Sequence, residues 1–367
     1  MRSEVEYRRA LHRIPELDSH LPETTALVTR VLSSLPCQLF SPVHGSVCAF
    51  FDAGREDAVA FRADLDALPL TETSGVPWSS QHAGVMHACG HDGHTALMLA
   101  LAEYAGAHLA DLPHNVLFLF QPSEETTGGA QPLCQTGILS RFRVRRIFGV
   151  HLWPGLPEGS VWSKPGPLMA RSSEVTVTLE GKSVHISKYR AGIDALTAGC
   201  EYLRRAYAMM EQLPPEEPSL LRFGKMESGS VRNAVSGHTR LEGSLRTYSE
   251  GIFSFCRRQL ADIGKALAQE TGCVVEVSLS EGYPAVWNHE ALYDALCRAL
   301  GQAAPQTLEE PALAAEDFSF YQQETPGVFF LLGVGDVPAL HSPDFHFNDE
   351  AVLPAGLEFL KRLLLLP

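Results

Sequence analysis

The chain has 367 residues, 45% of them hydrophobic, and a formal net charge of −14. That length and apolar content suit a globular protein with a large core and more than one domain. So acidic a chain lacks the basic surface that would neutralise phosphates, so no nucleic-acid partner is expected. The opening Met1-Arg-Ser-Glu-Val-Glu6 has no apolar signal core, and no stretch is long enough to span a bilayer. Eight scattered cysteines show no Cys-x-x-Cys spacing. A cytoplasmic chain with reduced thiols and no membrane partner is the expectation.

Val5 to His12 and Thr24 to Leu35 carry apolar residues at helical spacing, with Pro15 and Pro22 breaking the chain between them. Strands are expected at Ser46 to Phe51 and Ala58 to Phe61, the second running into Arg62-Ala-Asp-Leu-Asp-Ala-Leu-Pro69. Asp64 and Asp66 then fall at a strand's C-terminal end, where open α/β sheets place ligand sites. An Asp-x-Asp there can also simply cap a turn. The segment His87-Ala-Cys-Gly-His-Asp-Gly-His94 follows, just ahead of a helical run from Thr95 to Ala107. Cys89 and His91 flank Gly90, which lets a turn aim thiolate and imidazole at one point. A borderline-soft divalent ion prefers that donor pair. Two donors alone do not make a site, and a buried thiol beside capping residues is the plain alternative.

Asn115 to Phe120 is a continuous apolar run suited to the centre of a parallel sheet. It leads into Gln121-Pro-Ser-Glu-Glu125 and the Gly128-Gly129 turn. Two adjacent carboxylates at the mouth of a buried strand are costly unless a cation compensates them. Arg145 to Val150 is a further strand, ended by His151. From Glu174 to Glu180 the texture changes to an alternating strand of the antiparallel kind. A helix at Gly192 to Glu211 follows, then strands at Leu220 to Met226 and His238 to Arg246. A helix at Ile252 to Thr271 and a strand at Cys273 to Leu279 complete a β-α-β-β-α-β order, that of a ferredoxin-like module. It reads as an insertion, because the helix Ala291 to Gly301 and the apolar strand Val328 to Leu332 resume the first texture. His341 lies in the loop beyond that strand, a candidate fifth ligand.

These motifs, in this order, resemble those of the di-metal amidohydrolases. That group includes hippurate hydrolase, N-acetyldiaminopimelate deacetylase and the indole-acetyl-amino-acid hydrolases, relatives of aminoacylase and carboxypeptidase G. Its strongest marks are Arg62 to Pro69, His87 to His94, Gln121 to Glu125 and Ala315-Glu-Asp-Phe-Ser-Phe320. The resemblance implies an α/β fold: a mostly parallel-sheet, metallopeptidase-like catalytic domain with an inserted ferredoxin-like α+β lid of the dimerisation type. The expected boundaries are residues 1–171 and 283–367 for the catalytic domain and 172–282 for the lid. It further implies two divalent ions (zinc, manganese, cobalt or nickel) held by Cys89, His91, Glu125, His151 and His341, with Cys89 bridging. Glu124 takes the place of the general base, His185 that of a lid histidine polarising the substrate carbonyl, and Asp66 that of a further catalytic residue. Asn233 and Arg246 match positions facing the substrate's carboxylate. The implied reaction is hydrolysis of an N-acetyl or N-aroyl amino acid by metal-activated water. A homodimer or homotetramer paired through the lid is the implied assembly.

The chain departs from that pattern where Ser183-Val-His-Ile-Ser187 and Tyr189 replace a Gly-Gly-His-Ala-Ala run and a following proline. Thr126-Thr127 replace glycines after the Glu-Glu pair, and Ser236 replaces a common proline. These changes bear on substrate choice, since every ligand position is intact. Competing readings are a dipeptidase or aminopeptidase on the same scaffold, a thiol hydrolase using Cys89, and a metal-binding relative with altered catalysis.

Overall fold

A computed structural model describes residues 3–367. It divides into two compact units. The first comprises residues up to Leu168 together with Trp287–Pro311 and Asp317–Pro367; the second comprises Met169–Val286 and Ala312–Glu316.

The first unit is built on an eight-stranded sheet. Its centre is four parallel strands in the order Asn115–Gln121, Ala58–Asp64, Val144–Trp153 and Gly327–Gly333. All their residues but Arg145, Arg146 and Trp153 are buried, which explains why the sequence reads as apolar runs without alternation. Phe61 stacks on Phe118 with ring centroids 5.8 Å apart and meets the tilted ring of Phe148 at 5.5 Å. Val47–Phe51 pairs antiparallel outside Asn115–Gln121, and Val161–Ser163 pairs antiparallel outside Gly327–Gly333. The helices Ser3–His12, Pro22–Leu32, His91–Ala107 and Asp349–Leu364 surround one another on a shared core. His91–Ala107 is buried on nearly every side, as expected of a helix this apolar.

The expected elements are present with shifted ends. Pro22 opens its helix as the first residue, where a missing N–H costs nothing, rather than breaking the chain. The strand ending in His151 runs on to Trp153. The helix expected from Thr95 begins at His91, so His91 is its first helical residue. Gly90 is the cap and carries φ 89°, a conformation that a side chain would strain.

The second unit is a four-stranded antiparallel sheet in the order Val274–Leu279, Arg171–Glu180, His238–Thr247, Leu220–Ser228. Two helices, Ala195–Met210 and Glu250–Thr271, pack on it around Val177, Tyr202, Leu241 and Leu260. Asp194 caps the first helix and Ser249 the second through their side chains. Among the described residues no helix is long and apolar enough to cross a membrane.

Candidate metal centre

Three of the central parallel strands of the first unit, Ala58–Asp64, Asn115–Gln121 and Val144–Trp153, bring polar side chains to or just beyond their C-terminal ends, and the loop after the fourth, Gly327–Gly333, carries His341. The Sγ atom of Cys89 lies 3.5 Å from His151 Nε2 and 3.3 Å from His341 Nε2. His341 Nε2 is also 3.2 Å from Glu125 Oε1, and His91 Nε2 is 3.7 Å from that same oxygen. Two donor groups follow: Cys89, His91 and His151, and Cys89, Glu125 and His341, each with its donor atoms within 4.8 Å of one another. Cys89 belongs to both, the position of a bridging ligand. All five expected ligands are therefore brought together.

The two buried histidines of the donor groups, His91 and His151, are each aimed by the other ring nitrogen. His91 Nδ1 donates to the Asp66 carbonyl at 2.8 Å, and His151 Nδ1 donates to the Leu152 carbonyl at 2.7 Å. Both rings thus turn Nε2 and its lone pair inward, the orientation a metal ligand needs. His341 is held differently. It is exposed, sits at φ 64°, and has its backbone N–H bonded to the Ala88 carbonyl at 2.8 Å. Ser123, just before the Glu-Glu pair, has φ 61°. Non-glycine residues in that region are strained, and such residues gather at functional sites.

The electrostatics ask for a cation. His91 Nε2 and Glu125 Oε1 are buried without a well-oriented hydrogen bond. Burial and the neighbouring Glu125 charge raise the Cys89 thiol well above its ordinary range. Burial pushes His151 down to about 3, so its ring is neutral. Burial works against ionisation of Glu125, but the close approach of His341 and the His91 charge bring it down to about 2. Against burial, the Asp64 charge and bonds to Asp66 and Cys89 raise His91 well above its ordinary value, so the site draws positive charge. That ring, the neutral His151, the thiol and the carboxylate form a donor set that fits divalent metal in place of protons.

The neighbouring groups are supports. Asp66 accepts the backbone N–H of Glu124 through Oδ1 and that of Glu125 through Oδ2, both at 3.0 Å. Its carboxylate thus sets the two glutamates rather than facing open space. Glu124 is buried, with Oε2 3.9 Å from His91 Nε2. His94, inside the motif, has both nitrogens taken: Nδ1 by Asp64 Oδ1 at 2.7 Å and Nε2 by the Leu152 N–H at 2.9 Å. It is not a sixth ligand. His87 is fully enclosed and burial pushes it down to about 3.

Sequence reasoning gave no role to two further networks. Arg62 donates to Gln121 at 2.9 Å, Asp64 at 2.8 Å and Asp317 at 2.6 Å, and Asp317 also accepts from Gln121 and from the Ala130 N–H. This clamp ties two strand ends to the turn beyond Glu125. An added Cβ at Gly129 would lie 2.0 Å from the Pro122 carbonyl oxygen, so that turn requires glycine. The signal was the Arg62 to Pro69 and Ala315 to Phe320 motifs, whose arginine and aspartate proved to be partners. The second network fixes the start of the metal-facing helix. Arg8 and His12 each bond Asp92 Oδ2 at 2.8 Å, and His12 Nε2 lies 3.2 Å from Glu72.

The His12–Glu72 pair sets a pH window. Burial opposes ionisation of Glu72, but bonds from His12, Ser74 and the Ser80 N–H bring it from an ordinary 4.5 to about 2. Burial also disfavours charged His12, but Asp92 and the bonds to Asp92 and Glu72 leave it raised above its ordinary 6.5. The Glu72 contribution is present above pH 4.5 and lost as pH falls towards 2. The His12 contribution is full below pH 6.5 and is lost as pH rises through its folded value. Urea melts should therefore show His12→Ala losing most, relative to wild type, between about pH 4.5 and 6.5. An equal loss at pH 9 and pH 5.5 would show that packing, not charge, accounts for it.

His185, Asn233 and Arg246 lie in the second unit. His185 and Asn233 are exposed. Arg246 is half-buried near the end of His238–Thr247, where desolvation lowers it from its ordinary value. No hydrogen-bonded or ion-pair partner for its guanidinium occurs among the described residues.

Residues 60–366 match the model of peptidase family M20/M25/M40. An N-acetyldiaminopimelate deacetylase of Lacticaseibacillus paracasei is 31% identical over 376 residues, covering 98% of this chain and 98% of that one. A Bacillus subtilis protein described as a dinuclear metal-binding peptidase of family M20 superposes with TM-score 0.85 at 29% identity, covering 99% of this chain and 96% of that one. A putative aminohydrolase from methicillin-resistant Staphylococcus aureus superposes with TM-score 0.92 at 27% identity, covering 99% and 95%. The chain belongs to peptidase family M20/M25/M40 and is a hydrolase acting on amide bonds.

Proposed function

We propose that the protein removes the acetyl or aroyl group of an N-acyl amino acid, with Cys89, His91, Glu125, His151 and His341 holding two divalent ions. The single observation carrying this reading is the Cys89 thiol shared by two donor groups beside the buried Glu124. Thiolate and imidazole donors favour zinc, manganese, cobalt or nickel over magnesium or calcium. When bound, such ions acidify water and polarise a carbonyl oxygen. Glu124 takes the proton of the attacking water and returns it to the leaving amine. His185 donates to the carbonyl oxygen as charge develops there. Relatives named as N-acetyldiaminopimelate deacetylases act on an acyl amino acid, which agrees with this substrate class.

The test is a metal assay joined to a substrate panel. Chelation should abolish hydrolysis, re-addition of zinc, manganese, cobalt or nickel should restore it, and about two ions should bind per chain. N-Acetyl and N-benzoyl amino acids should be turned over faster than free dipeptides. Faster dipeptide cleavage would favour a dipeptidase, and full activity without metal would end the proposal.

Arg246 is assigned the substrate carboxylate. A half-buried guanidinium with no hydrogen-bonded or ion-pair partner among the described residues has paired donors to offer one. A charged hydrogen bond of this kind contributes about 1.5–3 kcal/mol, so Arg246→Ala should raise KM roughly 10- to 100-fold. The corresponding N-acyl amine, lacking the carboxylate, should show almost no change. An equal penalty for both substrates would make the arginine structural.

A further inference from the structure

His185 caps the short 3-10 turn Ile186–Ala191 of the second unit. Its Nδ1 accepts the backbone N–H of Ser187 at 3.3 Å and lies 2.8 Å from Ser187 Oγ. A backbone N–H can only donate. Nδ1 therefore presents its lone pair, which places the proton of the neutral ring on Nε2. With that tautomer, the Ser187 hydroxyl is a second donor to the same nitrogen. The main chain around the ring is also fixed. Ile186 N–H donates to the Asn233 carbonyl at 2.9 Å, Val235 N–H to Val184 at 2.8 Å, and Lys188 N–H to His185 itself at 2.8 Å.

We propose that Ser187 is a positioning residue that holds His185 as the Nε2–H tautomer with that nitrogen facing outward, a fixed donor for the oxygen of a substrate carbonyl. The proposal rests on the function given above, and it assigns a task to one of the residues by which this chain departs from its resemblance. The other tautomer would set an Nδ1–H against the Ser187 N–H and offer only a lone pair at Nε2. That lone pair repels a carbonyl oxygen. The backbone N–H alone makes a long bond, and the hydroxyl adds the shorter one. A donor aimed at developing negative charge acts mainly in the transition state, so its loss lowers kcat more than it changes KM.

Nitrogen-15 spectra of histidine-labelled, metal-loaded protein report the tautomer directly, with the His185 signal identified by its loss in His185→Ala. The wild type should show a single Nε2–H tautomer at a pH where the ring is neutral. Ser187→Ala should shift the signal towards a mixture and lower kcat about 3- to 10-fold, the size of one neutral hydrogen bond. KM should stay within roughly twofold. Ser187→Pro removes both donors and should do more, while Ser187→Thr restores tautomer and rate. Unchanged spectra and kcat in both Ser187→Ala and Ser187→Pro would overturn the proposal, as would an Nδ1–H wild type. If no acyl amino acid is hydrolysed, the function fails, while the spectrum still decides whether Ser187 sets the ring.

Discussion

Glu124→Gln is expected to lower kcat by about 10²–10⁴-fold, the worth of a positioned general base, while metal content stays at the wild-type level. The two adjacent glutamates are separated by their surroundings. Glu125 Oε1 is within 3.2 Å of His341 and 3.7 Å of His91, and it completes a donor group with Cys89. Glu124 lies 3.9 Å from His91 and groups with His91 and Glu125, but it belongs to no donor group with Cys89. Glutamine preserves the volume and the backbone bond at position 124 but cannot take a proton. Glu125→Gln should lower metal content as well as rate, because an amide is a weaker ligand than a carboxylate. Metal analysis of the two variants beside their kcat values checks this. Metal loss in Glu124→Gln with full occupancy in Glu125→Gln would mean that the two roles are exchanged.

The cluster of donor residues was visible in the sequence because its members stand on, or in the turns next to, regular elements. The central parallel strands carry continuous apolar runs, so the residue at which each run stops is visible, and Asp64, Glu124, Glu125 and His151 stand at or beside those stops. Gly90 marked the bend that starts the buried helix, though its left-handed backbone moved the helix start four residues earlier than periodicity suggested. The supports were illegible for a physical reason. Arg62 and Asp317 are 255 positions apart, and Arg8 and Asp92 are 84 apart. No local pattern pairs residues across such distances. His94 looked like a ligand by type and proved saturated by Asp64 and the Leu152 N–H, which only the tertiary structure could reveal.

Asp66 is where such a support should matter most. Its two oxygens accept the consecutive N–H groups of Glu124 and Glu125, and its carbonyl accepts His91 Nδ1. One residue therefore orients Glu124 and two members of the donor cluster, Glu125 and His91. Asp66→Ala leaves two N–H groups without acceptors and frees the strained Ser123 turn to relax. A displacement of about 1 Å in catalytic groups costs on the order of 10²-fold, so kcat/KM should fall by about 10²–10³-fold. Asp66→Asn is the sharper variant, since it keeps one acceptor but turns an NH2 towards the other N–H. It should lose nearly as much activity as alanine although its size is unchanged. Because Glu125 is one of the displaced groups, cobalt titration followed through the cysteine thiolate band should show weakened uptake of one ion in both variants. Far-UV dichroism should stay unchanged, since no helix or strand depends on this carboxylate. Wild-type kcat/KM with tight binding of both ions in Asp66→Asn would show that the Glu-Glu turn holds its shape through the Arg62–Asp317 clamp alone.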